Sequence, residues 1–164
     1  MSPTPPAARP TPDAKQLREA SEHLVYELSM LVGAARLLML GDAIPEEIIR
    51  NALLESFTLH ARALVHFFFP SNPWGDDVLA ADFFPSPDVW ERIRGRMAPV
   101  LAKVSPRVGK EVAHLTYARL DVTPEAKRWP VADIATALAA IADTFRVHAN
   151  PDHLGDLWKP PAPE

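Results

Sequence analysis

A chain of 164 residues, 48% hydrophobic and 23% charged, has the length and composition of one globular domain with a real core and is too short for two of usual size. Its formal net charge of −4 excludes a broad cationic coat for nucleic acid, so any such role must rest on a local cluster of cations. The absence of cysteine leaves neither a disulfide framework nor thiolate metal ligands, and it fits a reducing cytoplasm, the expected location.

In chain order, residues 1–12 carry Pro3, Pro5, Pro6, Pro10 and Pro12 and are expected to form a flexible tail. They contain no apolar stretch of the secretory type. No later run reaches the about 18 apolar residues of a membrane helix, so neither export nor a membrane span is expected. A first helix is predicted from Asp13 to Leu40, with Leu17, Leu24, Leu28, Leu31 and Leu38 on one stripe. Gly41-Asp42 supplies its stop signal. A second helix is predicted from Pro45 to Phe69, with Glu46 and Glu47 favoured in its first turn by the helix dipole. It is apolar around most of its circumference, which predicts a central position in a bundle.

The segment 70–86 mixes prolines and Gly75 with Trp74, Phe83 and Phe84. Its breakers argue against a continuous helix, and its aromatics argue for burial as an ordered excursion over the bundle. In DDVLAAD the acidic residues are expected to cap a short helical turn. Ser86-Pro87 opens a helix predicted to run to about Lys103, and Ser105-Pro106 opens another predicted to reach Leu120. Thr123-Pro124-Glu125 and Trp129-Pro130 read as a connection. A last helix is predicted from Val131 to His148, lined by Ile134, Leu138, Ile141 and Phe145. The fold class is therefore all-α: an up-down bundle of four to five helices spanning 13–149, with an irregular aromatic insertion and a proline-rich C-terminal tail at 150–164.

Two helices carry polar residues that the core does not ask for. On the second, Asn51, Glu55, Arg62 and His66 follow steps of four, seven and four, so they share roughly one face. That stripe is either a solvated side or the wall of a polar cleft. His60 falls off it and is expected at the surface or against a neighbour. On the predicted helix from Ser105, Arg107 and His114 stand two turns apart, with Lys110 or Glu111 between them. Arg107 lies in a first turn that favours anions, and a guanidinium grips phosphate in bidentate fashion. His114 is either a histidine bonded to a neighbouring helix or a group able to exchange protons near neutral pH.

Arg107, the six residues VGKEVA, and His114 resemble the Arg-x-His motif of the HEPN superfamily, whose members carry it on a late helix of a four- or five-helix bundle. The likeness in architecture spans about 15–149, and only the motif is residue-specific. It implies a metal-independent endoribonuclease or RNA-binding protein, a toxin of a toxin–antitoxin pair or a defence component, acting as a homodimer with a possible neutralising partner protein. By that resemblance His114 is the general acid/base and Arg107 stabilises the phosphate, with no cofactor. Asn51, Glu55, Arg62, His66 and Lys110 would support the pair or bind substrate. Val108 departs from the polar residue common after the arginine in catalytic members. Gly109 is unusual inside a helix, at a cost of about 1 kcal/mol relative to alanine.

Two other readings compete. A non-catalytic bundle of the same plan would serve as a protein-interaction or dimerisation module. A metal-binding bundle could draw on Glu55, His60, His66, His114 and Asp76-Asp77, but no HExxH motif is present. No metal is expected.

Overall fold

The computed structural model describes residue 9 and residues 11–158. The remainder of the two expected tails, 1–8, 10 and 159–164, lies outside the described residues. Among the described residues there is no strand, and the architecture is an all-α bundle. No helix among the described residues is long and apolar enough to cross a membrane.

Helix α1 (Ala14–Leu38) starts where two orphan amides find reciprocal partners. Asp13 Oδ1 accepts from the Gln16 N–H at 2.8 Å, and Gln16 Oε1 accepts from the Asp13 N–H at 2.9 Å. Its inner face buries Leu17, Ser21, Leu24, Leu31, Ala34 and Ala35, with Leu28 and Leu38 partly buried against the core. The expected stripe is the one used. The chain turns at Gly41, whose φ of 57° is the left-handed conformation that glycine adopts without a Cβ penalty.

Helix α2 (Glu47–Phe68) packs antiparallel on α1. Arg50 ties its start to the preceding connection by donating to the Ile44 carbonyl at 2.6 Å. Only its second half is central. Phe57, Thr58, Ala61, Leu64, Val65, Phe67 and Phe68 are buried, whereas no residue before Phe57 is. The first turns of α2 therefore project beyond the main core.

The insertion after α2 is ordered, as its aromatics predict. Phe83 and Phe84 are buried, while Trp74 is 77% exposed, contrary to the expectation for that residue. The Asp77 carboxylate accepts from the Trp74 N–H at 2.6 Å, which fixes a tight turn and leaves the indole outside it. Asp82 accepts from the Leu79 N–H at 2.8 Å and so caps the 3₁₀ turn Ala80–Phe83, as DDVLAAD leads one to expect. Arg9, inside the segment expected to be a free tail, forms a salt bridge to Asp82 at 2.9 Å and donates to the Asp77 carbonyl.

Helix α3 (Pro87–Arg94) is shorter than expected because Gly95 takes φ 63° and breaks it. Trp90 Nε1 and Arg94 both donate to the Phe68 carbonyl, at 3.0 and 3.1 Å. The orphaned end of α2 is thereby satisfied from α3. Two single turns follow, α4 (Pro99–Ala102) and α5 (Val104–Arg107). The latter passes directly into a π-helix, Val108–Ala113. A 3₁₀ turn, Tyr117–Asp121, and a short turn, α6 (Pro124–Lys127), lead to α7 (Val131–His148), whose bounds match the expectation.

Phe145 of α7 is the hub of the core. Its ring lies 5.1 to 6.0 Å from those of Phe67, Phe68, Phe83, Phe84, Trp90 and Trp158, all in tilted or edge-to-face contact. The participation of Trp158 corrects the expected tail at 150–164. Residues 150–158 dock back on α1, with Leu154 buried, the Gly155 N–H donating to Ser21 Oγ at 2.8 Å and Trp158 Nε1 donating to the Ser21 carbonyl at 2.8 Å.

Candidate functional site

The helix expected from Ser105 to Leu120 ends at His114, which has extended backbone at φ −125°, ψ 142°. Its final carbonyls are satisfied by side chains from the segment that follows. Thr116 Oγ1 donates to the Lys110 carbonyl at 3.0 Å, and Arg119 donates to the Val112 carbonyl at 3.1 Å. These bonds replace continuation of the helix as the means of pairing its last C=O groups. Because the register widens to π at Val108 and the helix stops at His114, Arg107 and His114 do not share the face of one α-helix.

Arg107 is half-buried and turned inward. Its Nε and one terminal nitrogen donate to the two carboxylate oxygens of Glu111, both at 2.8 Å. The guanidinium carbon sits 4.0 Å from the centroid of the Trp129 ring, and a further donation reaches the Arg128 carbonyl at 3.3 Å. The result is a cation held over the indole face and closed by a bidentate carboxylate. Val108, the departure from the motif, is fully buried and anchors this turn in the core. His114, by contrast, is exposed.

Trp129 divides two depressions. A smaller one, about 260 Å³, contains Arg107, Lys103 and Asp133. The larger, about 390 Å³, lies between the first turns of α2 and the 111–129 segment. Asn51 and Glu55 line it from α2, and Glu111, Arg119, Lys127 and Trp129 line it from the other side. Two members of the predicted polar stripe thus do face a cleft. Arg62 is exposed and does not line it. His66 cannot reach it, because fifteen residues of α-helix separate it from Asn51 by about 22 Å along the axis. Lys110 is exposed and contributes its carbonyl to the bond from Thr116.

His66 has a different role at the far end of α2. Its Nε2 lies 2.8 Å from Asp77 Oδ2. Burial alone would raise the Asp77 carboxyl, but hydrogen bonds from His66 and the Trp74 N–H, together with the charges of His66 and Arg9, more than offset it and lower its pKa. His60 packs between helices, with Nδ1 2.7 Å from Glu27 Oε2 and its ring edge-to-face with Tyr26 at 5.8 Å. Among the described residues, no three His, Asp or Glu side chains come together as a metal-binding group.

Sequence reasoning missed Trp129, Arg119 and Lys127 as cleft residues. Trp129-Pro130, immediately before a well-signalled helix, was the available clue, since an indole beside a helix start seldom stays in solvent. The other prominent feature at this end is apolar. Leu115, Tyr117 and Leu120 are 92%, 90% and 81% exposed, on the segment that Thr116 and Arg119 hold in place. Leu37, Met39, Leu40, Ile48 and Ile49 are exposed at the α1–α2 turn, which lies at the same end of the bundle.

Comparison of the chain with protein-family models, with curated proteins and with solved structures returned no match.

Proposed function

We propose that the protein is a non-catalytic helical association module that pairs with a second copy of itself through the end of the bundle carrying Leu115, Tyr117 and Leu120. The exposure of those three side chains carries the reading. A segment held by side-chain hydrogen bonds and yet presenting three large apolar groups to water is arranged for contact, since scattered exposure would place such groups singly.

The size of the surface agrees. A stable interface buries about 800 Å² per partner, roughly 65% of it apolar in homodimers. Leu115, Tyr117 and Leu120 together with the five residues at the α1–α2 turn expose on the order of 500 Å² of apolar side chain, at about 90 Å² each for full exposure. A two-fold axis beside Leu120 would set the 115–120 ridges of two copies against each other, with each copy's helical turn flanking the seam, and bury both at once. A heterologous partner is the other occupant that the experiment below distinguishes.

The RNA-cleaving reading rests on the resemblance alone. It requires Arg107 to leave Glu111 and Trp129, and it requires His114 to act from outside the cleft. Sedimentation velocity tests the association reading. The wild type is expected to sediment as a dimer at micromolar concentration, and L115E/L120E as a monomer with unchanged helical circular dichroism. A monomeric wild type removes the self-pairing. RNA cleavage by EDTA-treated wild type that is lost in H114A replaces the reading with the nuclease.

A further inference from the structure

The cleft between α2 and the 111–129 segment has the chemistry of a ligand site, and this does not depend on association of the chain. Its volume of about 390 Å³ falls at the small end of the range of about 300–1,000 Å³ typical for small-molecule sites. Leu54, Val112 and Val122 supply apolar lining, and Trp129 forms one wall. The indole is contacted by the Arg107 guanidinium 4.0 Å from its centroid, so the wall is formed before any ligand arrives.

The charges in the cleft do not balance. Glu111 is held in a bidentate pair by Arg107 and is neutralised. Among the described lining residues, Arg119 and Lys127 then outnumber the single remaining carboxylate, Glu55, which is exposed at the rim. The Nε of Arg119 is buried and has no hydrogen-bond partner. A buried guanidinium N–H without an acceptor is costly, and a small shift of the Arg119 side chain toward an incoming carboxylate oxygen would remove that cost.

From these features we infer that the cleft binds a small organic monoanion with a flat apolar body, in class an aryl carboxylate. Its ring lies against Trp129, Leu54 and Val122, and its carboxylate pairs with Arg119 and Lys127. Glu55 at the rim opposes a second negative charge on the ligand.

The test uses phenylacetate, its neutral counterpart phenylacetamide, and inorganic phosphate, each titrated into the full chain and followed by amide NMR shifts and calorimetry. Phenylacetate is expected to move the resonances of Leu54, Val112, Val122 and Trp129 and to saturate. Phenylacetamide should bind at least about tenfold more weakly, the scale of a charge-assisted hydrogen bond. Lys127→Ala, at an exposed position, should weaken phenylacetate about tenfold, and Leu54→Trp should abolish its binding by filling the cleft. Phosphate should leave the apolar resonances unmoved. The proposal is overturned if phenylacetate shifts none of the four resonances at millimolar concentration, if the amide binds as well as the acid, or if binding persists in L54W.

Discussion

Arg107 and Glu111 meet in a two-point ion pair, with two guanidinium nitrogens each 2.8 Å from a carboxylate oxygen and the whole stacked on Trp129. Each side chain is 21% exposed, so solvent screens the pair only in part. The pair spans one turn across the change from α to π register and joins that turn to the connection before α7. A residue that looks from sequence like a phosphate grip is used here to fasten two segments of the chain.

If that is its role, removing Arg107 destabilises the fold. R107A is expected to cost about 1–2 kcal/mol, the combined scale of a part-buried ion pair and a cation–π contact. E111A should cost about 1 kcal/mol, and the double variant less than the sum by at least about 0.5 kcal/mol. Urea unfolding of the three variants measures this directly. An R107A protein as stable as wild type would show that the stack contributes nothing.

Much of the fold is legible in the sequence because its signals are local. The Asp13 capping box, Gly41, and the leucine spacing of α1 lie within a few residues of what they determine, and the same holds for the apolar stripe of α7. The region 87–129 was less legible because its breaks depend on partners distant in sequence. Gly95 ends α3 while Arg94 and Trp90 reach back to the Phe68 carbonyl, and His114 ends the π-turn because Thr116 and Arg119 take over its carbonyls. The polar residues of α2, one stripe by their spacing, divide along the helix. Asn51 and Glu55 line a cleft, whereas His66 secures the insertion through Asp77. The docking of 150–158 depends on Ser21, a buried serine in the middle of α1, and nothing in a proline-rich ending points to it.

The His66–Asp77 contact makes stability depend on acid. The Asp77 carboxyl is lowered in the folded protein, so its contribution is fully present above the unfolded value of about 3.9 and is lost as the pH falls through the lower folded value. D77N should reduce stability at neutral pH by about 1–2 kcal/mol, the worth of hydrogen bonds to a charged group. It should also lose stability less steeply than wild type below about pH 4. Urea midpoints at a series of pH values check both parts. A difference between the two proteins that stays constant down to the acid limit contradicts the assignment.

Ser21 joins α1 to the C-terminal segment through one buried hydroxyl, which accepts from the Gly155 N–H at 2.8 Å and donates to the Arg18 carbonyl at 2.8 Å. S21A strands the Gly155 amide and should cost about 1–2 kcal/mol. Hydrogen exchange at Gly155 should accelerate more than exchange in α2 or α7. Equal acceleration throughout the chain would mean that the segment unfolds only with the whole domain.

The absence of cysteine from the chain allows the most direct test of self-association. A single cysteine at Leu120, on the proposed contact surface, is compared with one at Ser71, in the exposed loop that follows the far end of α2. Under mild oxidation at micromolar protein, L120C is expected to form a covalent dimer rapidly and S71C to remain monomeric. Cross-linking of L120C no faster than that of S71C would contradict pairing through this end of the bundle.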